Sequence, residues 1–308
     1  MPELPEVETT TRELKRIIVG LVIKDVWTDL ATKDKRQGGT IANPKYFVMF
    51  RKKILNKKIL LVERRAKNIL INLSGGKTIL VHLKMTGHLL YGKYKKTGKA
   101  WVPTEKGPLN DPYNRFIHVV FTFSPSTTLR TRNETHLAFS DARKFGKITL
   151  LDTKTAHDTK HLNNIGPEPL EKSFNLQKLK ERLNKKPNGK IKTVLMDQSI
   201  IAGIGNIYSD EILWRAGINP ERKASKLKEK EIKRILKAIK ETLSRGIDFG
   251  GDSMSDYRNI HGLRGKFQLH HEAYRRTGEK CRKKKCKGVI KRKVINGRSA
   301  HFCSVHQK

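Results

Sequence analysis

The sequence predicts an α+β fold: a β-rich N-terminal half carrying one leading helix, then a helical half, then a small cysteine module. Three observations predict it. Short strand-like apolar runs dominate up to residue 151, helical periodicity replaces them from residue 176, and all three cysteines fall within the last 28 of the 308 residues.

Pro5 suits the first turn of a helix over residues 5–19, with Val7, Leu14, Ile17 and Ile18 on one face and Gly20 at its end. Runs at 21–27, 58–63, 68–73, 78–83, 116–123, 135–140 and 146–151 are rich in Val, Ile, Leu and Phe and are separated by Gly, Asn or Ser turns, the pattern of a β-sandwich or barrel. Residues 91–114 are basic, contain Pro103, Pro108 and Pro112, and read as a surface insertion. The N-terminal domain is therefore expected over 1–152. Residues 153–172, with the turn-rich Gly166-Pro167-Glu168-Pro169, read as a linker. Helices are expected at 176–183, 191–196, 207–216 and 229–244, the last with Ile232, Ile235, Leu236, Ile239 and Leu243 on one stripe. A Gly-rich segment, 246–265, closes a helical domain over 173–265, and residues 266–308 form the terminal module.

Charge is the outlier of the composition. Sixty-six Lys and Arg against 29 Asp and Glu give a formal +37, a potential that attracts phosphate polymers, so nucleic acid is the expected partner. The excess is concentrated at the end: residues 281–308 hold ten Lys or Arg and no acid. The N-terminus lacks the basic-then-apolar pattern of a secretory signal, and the longest apolar stretch, 17–23, is too short to span a bilayer. A soluble protein of the cytoplasm, with no membrane partner, is expected.

Cysteine usage points to a metal. Cys281-x4-Cys286-x16-Cys303-x2-His306 supplies two ligand pairs on tight turns joined by a hairpin-sized span, the arrangement of one tetrahedral structural zinc. His301 competes with His306 for the fourth position, although the two-residue spacing of His306 fits a knuckle better. Lys291, Arg292, Lys293 and Arg298 between the pairs would turn the hairpin toward phosphate.

The opening Pro2-Glu3-Leu4-Pro5-Glu6 carries a second kind of chemistry. Removal of Met1 before a small residue would leave the ring nitrogen of Pro2 as a secondary amine, which titrates near pH ~8 and is in good part neutral and nucleophilic at physiological pH. Glu3 beside it could move protons. Gly203-Ile204-Gly205-Asn206 precedes a helix whose N-terminal amides could cradle an anion, while Tyr208 in place of a third glycine argues against a dinucleotide site. Met85 and Phe145 are apolar residues among cations near strand ends, in the manner of wedges between bases or of ordinary core residues.

Pro2-Glu3-Leu4-Pro5-Glu6-Val7-Glu8-Thr9, Arg64-Arg65-Ala66-Lys67, Gly166-Pro167-Glu168-Pro169-Leu170, the run from Asp197-Gln198 to Gly205-Asn206-Ile207-Tyr208, Ala216-Gly217-Ile218-Asn219-Pro220 and the terminal module together resemble formamidopyrimidine-DNA glycosylase, in order, from Pro2 to Gln307. The resemblance implies a monomeric bifunctional base-excision repair enzyme, associated with the nucleoid. Its parts would be an N-terminal β-sandwich, a helix-two-turns-helix domain and a C-terminal β-hairpin zinc finger, with damaged double-stranded DNA in the cleft between them. It implies Pro2, Glu3 and Lys67 as the catalytic set, supported by Glu6: Pro2 attacks C1′, Glu3 moves protons, and the resulting iminium permits β- and δ-elimination.

Phosphate contacts would fall to Lys67, Asn206 and Arg298. Met85, Arg143 and Phe145 would fill the space left by an everted nucleotide. The loop 250–265, with Ser253, Asp256, Tyr257 and Arg258, resembles the lid over an everted oxidised purine. Leu4 and the length of this loop favour the oxidised-purine branch over the related endonuclease VIII branch, which acts on oxidised pyrimidines; a non-catalytic zinc-finger DNA-binding protein is the alternative from another class. Two features depart from the family pattern: Cys-x4-Cys with His306 in the finger, where two Cys-x2-Cys pairs are usual, and the 91–114 insertion.

Overall fold

The computed structural model describes residues 1–32, 34, 37–124, 134–254 and 256–308. It divides into two compact units: unit 1 comprises residues 1–2, 6–163 and 250–265, and unit 2 comprises residues 3–5, 164–249 and 266–308.

Unit 1 is a sandwich of two four-stranded antiparallel sheets, not a barrel. One sheet has the order β1-β8-β9-β5 and the other β10-β4-β3-β2. The strands are β1 (Val22–Thr28), β2 (Ile59–Arg65), β3 (Asn68–Leu73), β4 (Lys77–His82), β5 (His88–Gly92), β8 (Ile117–Ser124), β9 (Thr135–Ser140) and β10 (Lys147–Asp152). Side chains from both sheets meet in one core: Val119, Phe121 and Leu137 from the first, Ile69, Ile71, Ile79 and Val81 from the second.

Helix α1 (Leu4–Ile17) carries Pro5 in its first turn and Lys15 and Arg16 in its last, as the macrodipole favours, and adds Val7 and Leu14 to that core. Helix α2 (Pro44–Ile54) adds Phe50 and Ile54. It is an element the periodicity does not announce, yet its start is written in the chain: Asn43 accepts from the Tyr46 amide at 3.0 Å, and Pro44 follows at the first helical position.

The basic insertion is ordered. Strands β6 (Tyr94–Thr97) and β7 (Ala100–Pro103) form a hairpin, followed by single 3-10 turns at Pro108–Asn110 and Pro112–Asn114. Trp101 fastens the hairpin to the sandwich, its ring centroid 6.0 Å from Trp27 and 5.3 Å from His136. Residues 250–265 also pack with unit 1, whereas sequence order places them at the end of the helical region.

Unit 2 contains α3 (Leu176–Leu183), α4 (Ile191–Met196), α5 (Asn206–Ala216), α6 (Glu229–Asp248) and the hairpin β11 (Lys291–Ile295) with β12 (Arg298–Phe302). Leu179, Leu195, Ile204, Tyr208, Ile235 and Leu243 share its core with Leu4. Helix α5 ends at Gly217, whose φ of 68° lets its amide turn back onto the carbonyls of Leu213 and Trp214. The β11–β12 turn is Asn296-Gly297 with φ of 46° and 73°, the conformation a two-residue hairpin demands. No helix among the described residues is long and apolar enough to cross a membrane.

One core side chain bears directly on the site-bearing turns of unit 1. Phe139 is 1% exposed, and a Cβ on Gly87 or Gly146 would come within 2.7 or 2.3 Å of its ring, so the ring underlies both turns. Phe139→Ala is expected to cost about 3–5 kcal/mol in urea-induced unfolding. A loss below about 1 kcal/mol would show that the turns do not rest on this ring.

Candidate functional site

In unit 2 the N-terminal residues dock on the start of α5. The carboxylate of Glu3, 2% exposed, accepts from the amides of Gly205 (2.6 Å), Ile207 (2.9 Å) and Tyr208 (3.4 Å), and the Leu4 amide donates to the Gly203 carbonyl at 3.0 Å. The anion that the helix N-terminus receives is thus the chain's own Glu3. Glycine is required at 205, because a Cβ there would lie 2.4 Å from the Glu3 carboxyl carbon. Pro2, next along the chain, is buried.

Asn206 heads α5, and its Oδ1 is enclosed with no hydrogen-bond partner among the described residues. It lines a pocket with Tyr274, Arg275, Thr277, Arg292, Ser299 and His301. Beneath it the Lys192 ammonium, fully buried, donates to Asp210 (2.6 Å) and Ser209 (3.1 Å), and Asp210 in turn accepts from the His301 amide at 2.9 Å. Glu211, the next residue, gathers the amides of Glu272, Ala273 and Tyr274 at 2.8–2.9 Å and so fixes the approach to the cysteine module. Burial holds the Glu211 carboxyl above its usual range despite these amides and His271. Arg298 is exposed, opens β12, and lines a separate pocket with Lys186, Met196 and Asp197.

In unit 1, Glu6 is 1% exposed and accepts from the Asp252 amide at 2.7 Å through its carboxylate and from the Tyr257 hydroxyl at 3.1 Å through its carbonyl. Tyr257 is 4% exposed, and its hydroxyl also lies 3.3 Å from the Thr10 hydroxyl of α1. Lys67 is also buried, at the β2–β3 turn, where Ala66 takes a φ of 53° and Arg64 donates to the Ala66 carbonyl at 3.0 Å. Arg64 further pairs with Glu8 at 2.7 Å. Burial opposes the ionisation of Glu8, but Arg64 and Arg12 outweigh it and hold the carboxyl below its usual range. The first arginine of the turn therefore braces the hairpin.

Met85 and Phe145 are 39% and 47% exposed, so these apolar residues are not core. They stand on two turns joined through Asp141, 1% exposed, which accepts from the Thr86 hydroxyl and from the amides of Arg143 (3.3 Å) and Gly146 (2.7 Å). The Arg143 guanidinium lies 4.7 Å from the Phe145 ring centroid. A cation and an aromatic ring thus lie together on one turn, which Asp141 ties to the turn that exposes Met85.

The three sulfurs of Cys281, Cys286 and Cys303 lie within 4.8 Å of one another, with Cys286 Sγ 3.7 Å from Cys303 Sγ, and all three are free thiols. Zn–S bonds of about 2.3 Å on a tetrahedron separate sulfurs by about 3.8 Å, so the donor set fits a metal. Gly288 is needed beside it, since a Cβ there would meet the Cys303 sulfur at 2.5 Å. His301 is committed elsewhere, with Nδ1 2.9 Å from Asp210. His306 Nε2 donates to the Trp214 carbonyl at 2.7 Å, and among the described residues the group close enough to share an ion is the three sulfurs, without His306.

Comparison with known proteins shows which family the chain belongs to. The model of the formamidopyrimidine-DNA glycosylase N-terminal domain matches residues 1–148, and that of the formamidopyrimidine-DNA glycosylase H2TH domain matches residues 165–258. The formamidopyrimidine-DNA glycosylase of Pelotomaculum thermopropionicum is 39% identical over 308 residues, covering 100% of this chain and 99% of the relative. That of Bacillus subtilis is 36% identical over 304 residues, covering 99% and 98%. Among solved structures, the complex of a Lactococcus lactis Fpg variant with Fapy-dG-containing DNA matches with a TM-score of 0.81 at 32% identity, covering both chains fully. The complex of Lactococcus lactis Fpg with abasic-site DNA matches at 0.80 and 31%, covering 99% of each. Fold and site thus define a DNA glycosylase of base-excision repair with a helix-two-turns-helix region. The chain belongs to the formamidopyrimidine-DNA glycosylase family, whose members are glycosylase/AP lyases.

Lysines surround one titratable group in unit 1. Burial, together with the nearby Lys84 and Lys67, pushes His82 down to about 3. As pH falls below about 6.5 the unfolded chain takes up a proton that the folded chain refuses, so this contribution to stability is complete above about 6.5 and declines toward 3. His82→Gln should flatten the stability–pH curve between these limits. Coincident slopes for the two proteins in denaturant titrations would contradict a neutral, lysine-flanked His82.

Proposed function

We propose that the protein removes oxidised purines, chiefly 8-oxoguanine and formamidopyrimidines, from damaged duplex DNA and cuts the strand by β,δ-elimination, with Pro2, freed of Met1, as nucleophile. It acts as a monomer at the nucleoid. The observation that carries the reading is the seat of Glu3: three amides at the start of α5 fix the residue bonded to Pro2, which pre-positions an amine and a proton carrier side by side. The Pro2 lone pair attacks C1′, and the base departs with the electron pair of the glycosidic bond and is protonated. Opening of the sugar leaves an iminium. That electron sink acidifies the C2′ proton, which Glu3 removes as the 3′ phosphate is expelled. A second elimination expels the 5′ phosphate, leaving a one-nucleotide gap with phosphate at both ends, and hydrolysis frees the amine.

Lys67, Asn206 and Arg298 hold phosphates on this reading, and Met85, Arg143 and Phe145 fill the emptied stack. Residues 250–265 cover the everted base, the feature that favours purines over oxidised pyrimidines. Zinc is the metal proposed for the sulfur cluster, with His306 as fourth ligand. Donation from Nε2 to the Trp214 carbonyl leaves the Nδ1 lone pair for the metal, and ligating histidines commonly carry such a second hydrogen bond. The metal, when bound, cross-links the finger.

Borohydride should trap a covalent adduct on 8-oxoguanine duplexes and much less on thymine glycol duplexes. A protein whose terminus is acetylated, or which retains Met1, should give none; trapping by the blocked protein would transfer the nucleophile to a lysine. Purified protein is expected to contain one zinc per chain by elemental analysis. His306→Ala should lose it on mild chelation and His306→Cys should keep it, whereas full retention by the alanine variant would remove His306 from the ligand set.

A further inference from the structure

Residues 250–254 and 256–265 are held on two sides within unit 1. One side is α1, through Glu6 and Tyr257 as described. The other is the excursion between β5 and β8. There Arg258, its side chain 3% exposed, grips Asp111 fork to fork, with Nε 3.0 Å from Oδ2 and Nη2 3.2 Å from Oδ1. The same guanidinium lies 4.6 Å from the Tyr113 ring centroid and donates through Nη1 to the Tyr257 carbonyl at 2.9 Å.

Asp111 is itself fixed, because it caps the turn Pro112–Asn114 by accepting from the Tyr113 amide at 2.9 Å. Burial opposes its ionisation, but the hydrogen bonds from Arg258 and the Tyr113 amide prevail and hold its carboxyl below the usual range. Close backbone approach completes the joint: Tyr91 donates to the Ile260 carbonyl at 2.7 Å, and a Cβ on Gly262 would lie 2.5 Å from the Pro108 carbonyl oxygen. Asn114, 1% exposed, donates to the Pro108 carbonyl at 3.0 Å, and its Oδ1 lies 2.9 Å from Nε2 of His88, whose Nδ1 lies 3.2 Å from the carbonyl of Thr86, beside Met85.

We propose that the 91–114 excursion is a built-in buttress for residues 250–265, and that Arg258, held by Asp111, is a positioning residue that sets how firmly an everted base is retained. The pairing is buried on the arginine side, half-buried on the aspartate side, bidentate and stacked on an aromatic ring, which is more ordering than a fully solvent-exposed ion pair. It spans 147 residues of sequence, joining the basic insertion to the base-covering segment. The inference rests on the covering role proposed above for that segment.

The test uses the full-length protein with Asp111→Ala, the near-isosteric Asp111→Asn, and the charge swap Asp111→Arg with Arg258→Asp. Amide hydrogen exchange at 256–262 should quicken at least tenfold in the single variants and return toward wild type in the swap, while the β11–β12 hairpin stays unchanged. In single-turnover assays, release of 8-oxoguanine should slow about tenfold, whereas cleavage at a preformed abasic site, which offers no base to cover, should stay within twofold. Unchanged exchange, or a parallel fall in both reactions, would overturn the buttress. Faster exchange with undiminished base release would sever it from base retention. If the wild type cuts abasic DNA but releases no 8-oxoguanine, the proposed substrate is wrong, and the exchange arm still judges the buttress on its own.

Discussion

The placement of the N-terminal peptide depends on one carboxylate sitting on one helix start. Glu3 satisfies three of the amides that α5 leaves without intrahelical partners, and α5 in return gives the N-terminal peptide a fixed address. A chain terminus is ordinarily the least ordered part of a domain. Here Leu4 is fully buried and the Leu4–Gly203 hydrogen bond follows directly after Glu3, so order begins within three residues of the end. Gly203, with a φ of 83°, and Gly205 are glycines because a Cβ on either would strike Leu4 or Glu3.

The same device recurs at each place where a functional segment is held. Glu6 receives the Asp252 amide, Asp141 the amides of Arg143 and Gly146, Asp210 that of His301, and Glu211 those of residues 272–274. Hydrogen bonds to a charged acceptor in a poorly hydrated setting are stronger than neutral ones, and at Glu3, Asp141 and Glu211 several converge on one carboxylate. Loops that carry Met85, Phe145 or the cysteines are thereby placed by the interior and not by their own surface residues.

Much of this was legible in the sequence. The strand-like runs of 68–73 and 135–140, and the helices at 176–183 and 191–196, coincide with the structure, because apolar alternation and the 3.6-residue stripe directly reflect one-sided burial. The terminal cysteines were legible as a metal cluster because their spacing is itself the geometry. The anion seat before α5 was legible too, but its occupant was not: Glu3 lies more than 200 residues away. Distance in sequence likewise conceals Lys192–Asp210–His301 and Asp111–Arg258, whose partners carry no local signature. Helix α2 is the opposite case, with Asn43-Pro44 as a visible start and a face too weakly patterned to prolong it. The basic run reads as a surface insertion by its prolines, two of which, Pro108 and Pro112, open its 3-10 turns.

The buried carboxylates also reshape the meaning of the net charge. Among the described residues seven acids are buried but only three cations, although the chain has 66 Lys and Arg against 29 Asp and Glu. Burial therefore withdraws acids from the exterior out of proportion to their number. What a polyanion meets is a surface more cationic than the composition suggests, on which exposed carboxylates such as Asp152, Glu181 and Glu229 still pair with lysines. Such a surface suits a protein whose attraction to a phosphate backbone draws on counterion release.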